Sequence, residues 1–212
     1  MQEGQFTGFE VQLREPGIAW IEFNEPEKLN GMTTAKKRDL IETLVQAQMD
    51  NKVRVVVFTG TGRGFCAGDD LNAYSASTHQ GDFLMPPIAP GHDSGIGTYN
   101  GLKHISQALN LAIRKLDKLT IAAINGYAIQ TGLSLALACD FKLASTKARL
   151  GSATLRFGLL PDEGGQYLLL QHLGLAATMD FLMRKKIVDA EEALGLGLVN
   201  QVTSPEDRKS TR

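Results

Sequence analysis

The chain has 212 residues, 43% of them hydrophobic and 21% charged, with a formal net charge of −1 at pH 7. That length suits one domain with a sizeable core. The balance excludes a disordered segment, a basic nucleic-acid footprint and a steering field for anionic partners.

The opening segment MQEGQFTGFE has no basic stretch followed by an apolar run. No secretory leader is expected, and a cytoplasmic protein is. Residues 9–23 alternate in polarity around Glu15-Pro16-Gly17 and read as a β-hairpin. After NEPEKLN, Thr33 or Thr34 is placed to cap a helix running to about Met49, with Leu40, Ile41, Leu44, Val45 and Ala47 as its apolar stripe. VRVVVFTG is too continuously apolar for a half-exposed strand and predicts one buried on both faces. The segment GRGFCAGDDL follows, so that Gly60, Gly62, Gly64 and Gly68 precede two adjacent aspartates. Residues 75–98 hold three prolines, four glycines and two histidines without periodicity, which predicts a long loop.

A helix is expected over about 99–116 and a buried strand at LTIAAIN. GYAIQTGLSLALA then reads as a turn feeding a helix, and CDFKLAS as a further strand. Leu119 to Leu143 is the most apolar region, but Asn125, Gly126, Gln130, Gly132, Asp140 and Lys142 interrupt it, so it predicts core and not a membrane span. Beyond Pro161 three helices are expected, over about 165–172, 176–183 and 190–194, with a short strand at LVNQV. A single domain over 1–203 and a polar tail over 204–212 complete the plan.

The glycines after VVVFTG loosely mimic a dinucleotide fingerprint, but they lead toward a short helix and a proline-rich loop instead of a second strand ending in an acidic residue. Phosphate-loop GKS or GKT and hydrolase GxSxG sequences are absent. Cys66 has no histidine placed to activate it. Cys66 and Cys139 lie outside any CxxC spacing, and both read as buried free thiols in a reducing compartment. What remains is backbone chemistry. Turns at Gly68-Asp69 and at Gln130-Thr131-Gly132 would each present N–H groups at a helix N-terminus. Two such donors meeting one oxygen form an oxyanion hole; the alternative is that both turns are only tight packing.

EFNEPEKLNGMT, GRGFCAGDDL, AAINGYAIQTGLSLALACDFKLAS and FGLLPDEGG, in this order and spacing, resemble the crotonase (enoyl-CoA hydratase/isomerase) superfamily from about residue 10 to 203. The resemblance implies an α/β, crotonase-like spiral of ββα units with a helical C-terminal part. It implies an acyl-CoA thioester as substrate, with coenzyme A present only as part of that thioester, no other cofactor, no metal, and no nucleic-acid or membrane partner. Asp69 and Thr131 fall at the oxyanion-donor positions, Thr131 standing where the family has the middle glycine of a GGG triplet. A β-branched residue there is expected to strain the turn.

Lys28, Leu29, Ala67, Gly68, Asp70, Leu71 and Thr154 fall around the implied CoA-ester site. By themselves, Lys28 also reads as a solvated lysine and Asp70 as a helix cap. Family hydratases keep glutamates where this chain has Ser134 and Thr154, neither able to act alone as a base near neutral pH. Asp162 falls where several isomerases keep their acid, and desolvation is expected to raise its pKa; its other reading is a cap for the next helix. Glu163 is the next carboxylate, and one of the pair should point outward. The implied chemistry is double-bond isomerisation through an enolate. Hydration supported by Ser134, Thr154 and Asp162, and a non-catalytic acyl-CoA binder, stand beside it. The resemblance also implies a homotrimer or hexamer, although the chain stops short of the family's usual C-terminal helices.

Overall fold

A computed structural model describes residues 1–70 and 95–204 of the chain. Most of the proline-rich segment, the helix expected after Asp70, Leu71 and the tail from 205 onward lie outside the described residues.

The chain runs through β1 (Gly4–Phe6), β2 (Phe9–Arg14), β3 (Ile18–Phe23), α1 (Thr34–Met49), β4 (Val55–Gly60), β5 (Gly64–Cys66), α2 (Gly95–Gly101) and α3 (Gln107–Arg114). It continues through β6 (Leu119–Ile124), β7 (Tyr127–Ile129), α4 (Thr131–Ala138), β8 (Phe141–Ser145) and β9 (Arg149–Gly151). It closes with α5 (Gly165–Leu173), α6 (Leu175–Met183), β10 (Ile187–Asp189), α7 (Ala190–Gly195) and β11 (Gln201–Thr203). Among the described residues the strands form a seven-stranded sheet, β1-β2-β3-β4-β6-β8-β11, and a four-stranded sheet, β10-β9-β7-β5. The large sheet is antiparallel through β3 and parallel beyond it.

The pairs β4–β5, β6–β7 and β8–β9 each send their first strand to the large sheet and their second to the small one. Helices α4 and α5 follow the last two pairs, so the chain winds as the expected α/β spiral. The cause is local. Each first strand is long and apolar enough to be buried, while each second strand has three residues and ends at a turn.

Thr33 caps α1 by accepting from the Lys36 amide. Leu40, Leu44 and Ala47 of α1 join Phe9, Ile21, Phe23, Val56, Phe58 and Ile124 in one core. Val45, expected on the same stripe, is 57% exposed, and the buried face instead includes Lys36 and Lys37. The expected helix over 99–116 is Gly95–Arg114, with a π-turn at Leu102–Ser106 between α2 and α3. No helix among the described residues is long and apolar enough to cross a membrane.

Candidate active site

Beyond β5 the chain runs beside residues 29–32. The Ala67 amide donates to the Leu29 carbonyl at 3.0 Å, the Met32 amide to the Gly68 carbonyl at 2.9 Å, and the Asp70 amide to the Met32 carbonyl at 2.9 Å. Met32 and Asp69 therefore face each other as a parallel bridge. In such a bridge the peptide groups flanking Asp69 bond to Met32, so its own N–H turns the other way. That way lies β7, the neighbour of β5 on its other edge. Gly68 has φ +106°, a value side chains rarely adopt, and supplies the bend at the end of this run.

Lys28, Leu29, Ala67, Gly68 and Asp70 lie close together along this run, while Leu71 lies outside the described residues. Lys28 Nζ pairs with Glu25 Oε1 at 3.2 Å, and the buried Lys36 ammonium pairs with Glu25 Oε2 at 2.5 Å. Partial burial pulls the Glu25 carboxyl upward, but hydrogen bonds and charge from Lys36 and Lys28 outweigh it and hold the group below its ordinary value.

The second turn joins β7 to α4. The strain expected at Thr131 falls one residue earlier: Gln130 has φ 50° and ψ −108°, the first central position of a type II′ turn, and Thr131 begins the helix. Gln130 is held there at both ends. Its amide donates to the Gly151 carbonyl at 2.9 Å. Its side-chain Oε1 accepts from Ser152 Oγ at 2.7 Å and Thr154 Oγ1 at 3.0 Å, and its Nε2 donates to Glu163 at 3.1 and 3.2 Å. As the first residue of α4, Thr131 has an N–H with no acceptor inside its own helix. A Cβ on Gly132 would overlap the Cys66 carbonyl oxygen, so glycine lets α4 press against the end of β5. The two turns touch directly: Thr131 Oγ1 donates to Asp69 Oδ1 at 2.8 Å.

The carboxylates at 162 and 163 divide as one in, one out, but the desolvation expected of Asp162 belongs to Glu163. Asp162 is exposed and Glu163 is 4% exposed. Helix α3 fixes this turn: Gln107 Nε2 donates to the Asp162 carbonyl and Asn110 Nδ2 to the Glu163 carbonyl, each at 2.9 Å. The Glu163 side chain passes inward, where Ser134 Oγ donates to it at 2.5 Å beside Gln130 Nε2. Burial raises its pKa, and these hydrogen bonds offset only part of that effect. Ser134 and Thr154 are therefore tied up in the network around Gln130 and Glu163.

Two site residues were not legible beforehand. Lys37, 1% exposed, donates from Nζ to Asp69 Oδ2 and to Ser106 Oγ, both at 2.8 Å. A lysine within an amphipathic helix reads as solvated surface, and Ser106 reaches Lys37 from a π-turn that no periodicity announces. Cys66 is a buried free thiol, as expected; burial pushes its pKa up to about 11. No cluster of three metal-ligating side chains occurs among the described residues.

A family profile described as enoyl-CoA hydratase/isomerase matches residues 14–86 and 91–211. The 1,2-epoxyphenylacetyl-CoA isomerase of Escherichia coli is 34% identical over 197 residues, covering 93% of this chain and 70% of its own length. A Mycobacterium bovis protein named "Probable enoyl-CoA hydratase echA12" is 36% identical over 192 residues, covering 90% of this chain and 64% of its own. The chain thus spans about two thirds of the length of these curated relatives. The solved structure of an enoyl-CoA hydratase from Bacillus anthracis superposes with a TM-score of 0.83 at 25% identity, covering 96% of this chain and 72% of that one.

Proposed function

Because the chain belongs to the enoyl-CoA hydratase/isomerase family, we propose that it binds an acyl-CoA thioester and moves a carbon–carbon double bond through an enolate. The observation that supports this is the contact between the two turns, in which Thr131 Oγ1 donates to Asp69 Oδ1 and so brings together the two residues whose amides are assigned to the thioester oxygen. In the reaction the thioester oxygen accepts from both. Each donor of this kind stabilises the developing oxyanion by about 3 kcal/mol.

Asp162 carries the proton. A shuttle has to meet the substrate, and Asp162 is exposed whereas Glu163 is buried against Ser134 and Gln130. The carboxylate takes a proton from C2 of a 3-enoyl thioester, and the C–H electron pair passes into the conjugated enolate. The same acid then delivers its proton to C4 as the electrons return, leaving the double bond between C2 and C3. Glu163 keeps Gln130, and through it the turn before Thr131, in place. Ser134 and Thr154 donate within that network, which supports a shuttle over a pair of groups holding water. Around the thioester, Lys28 supplies a positive charge suited to phosphate oxygens, while Leu29, Ala67, Gly68 and Asp70 shape the wall. Exposed apolar side chains on α5 and α6, among them Tyr167, Leu175 and Met179, support a homo-oligomeric assembly of the trimer or hexamer type.

Product analysis with a panel of 2-enoyl and 3-enoyl CoA esters tests the proposal. Wild type should interconvert the positional isomers, and Asp162→Asn should lose a factor of about 10² to 10⁴ in turnover while still binding the ester. A 3-hydroxyacyl product would replace isomerisation by hydration, and binding without turnover in wild type would make the protein a binder. Unchanged turnover in Asp162→Asn would remove that residue from the chemistry.

A further inference from the structure

The residue assigned to give the first amide is an aspartate, and its side chain is a liability there. A carboxylate close to a developing enolate oxygen would oppose the charge that the amides stabilise, strongly so in a site from which water is excluded. The surroundings of Asp69 answer this directly. Oδ1 accepts from Thr131 Oγ1 and Oδ2 from the Lys37 ammonium, each at 2.8 Å. Lys37 also donates to Ser106 Oγ. Lys37, Thr131 and Ser106 are 1%, 4% and 7% exposed. An ammonium that far from water is tolerated only when paired and hydrogen-bonded, so this lysine has been buried against Asp69 in particular. Gln107, the residue after Ser106, donates to the Asp162 carbonyl, so adjacent residues reach the Asp69 turn and the Asp162 turn.

We propose that Lys37 and the Thr131 hydroxyl form a charge clamp, neutralising the Asp69 carboxylate and drawing it aside so that only the Asp69 amide acts on the thioester oxygen. This rests on the enolate reading above. Thr131 then has two tasks, an amide for the oxyanion and a hydroxyl for its neighbour, and the second is one that glycine lacks the atoms to perform. Lys37 is a positioning residue that does not touch substrate.

The test combines turnover with the infrared carbonyl band of bound acetyl-CoA labelled with ¹³C at the thioester carbon. In wild type, two donors should shift that band to lower frequency on binding. Lys37→Met should shrink the shift and lower kcat by about tenfold or more, with KM changed much less. The double variant Lys37→Met/Asp69→Asn, which removes the unpaired charge and keeps the amide, should recover most of both. Thr131→Val should behave like Lys37→Met in milder form, and Thr131→Ser should recover most of that loss. This pair keeps the test open should Lys37→Met fail to fold. Turnover and band shift unchanged in both Lys37→Met and Thr131→Val would overturn the clamp, as would absence of rescue in the double variant. A wild-type band shift lost in Lys37→Met, in a protein that turns over no enoyl-CoA, would retain the clamp and discard the reaction. No band shift in wild type would overturn both.

Discussion

Replacing Gln130 by alanine and by glycine separates two effects that the structure superimposes at one residue. The side chain makes three interactions, accepting from Ser152 and Thr154 and donating to Glu163 across both carboxylate oxygens. At about 1 kcal/mol each, their loss destabilises Gln130→Ala by about 3 kcal/mol, with Ser152 Oγ left buried and lacking its acceptor. Alanine also keeps the penalty of φ 50° and ψ −108°, about 1–3 kcal/mol for a residue bearing a Cβ. Glycine loses the same interactions and is relieved of that strain, against about 0.5–1 kcal/mol of added chain entropy. Gln130→Gly should therefore be more stable than Gln130→Ala by about 1 kcal/mol, although it is the smaller residue. Urea unfolding followed by circular dichroism measures both midpoints. A glycine variant no more stable than the alanine variant would refute the assignment of strain to Gln130.

Glu163 has its folded pKa raised by burial, so its contribution to stability is fully present below the unfolded-state value of about 4.3 and fades as pH rises through the folded one. Stability compared between wild type and Glu163→Gln should move in favour of the variant as pH rises above the unfolded-state value, and a difference that does not change with pH would contradict this. Gly132→Ala puts a methyl group into the Cys66 carbonyl and should cost about 1–3 kcal/mol, measured by thermal unfolding; a neutral result would mean that α4 and β5 can part without loss. Cys66, buried and with its thiol pushed up to about 11, should react with a disulfide reagent at pH 8 only once the chain is unfolded, and rapid labelling of the native protein would refute its burial.

Much of the fold was legible because long elements carry their own signals. Leu40, Leu44 and Ala47 of α1 and the run VVVFTG repeat one preference over many residues, Thr33 is a local cap signal, and the helices after Pro161 stand within a residue or two of where their patterns put them. The small sheet was not legible: β5, β7, β9 and β10 have three residues each, too few to show a period; β5, β7 and β9 exist because the large-sheet strands before them place them side by side, and β10 because it pairs with β9. The site followed the same division. The glycine-rich run and the turn at 130–132 announced backbone approach, and the two turns do meet.

Which of Asp162 and Glu163 turns inward is decided by amides arriving from α3, a tertiary fact with no local trace. Lys37 was hidden for a similar reason, since a charged side chain at a helix position reads as surface until the aspartate that buries it is seen across 32 residues of chain.

A crystal structure of the protein bound to a non-reactive acyl-CoA addresses the central claim most directly. The thioester oxygen should lie about 2.7–3.1 Å from the backbone nitrogens of both Asp69 and Thr131, with the Asp162 carboxylate beside C2 of the acyl chain. A thioester bound elsewhere, or held by only one of those nitrogens with Asp162 on the opposite side of the molecule, would contradict it.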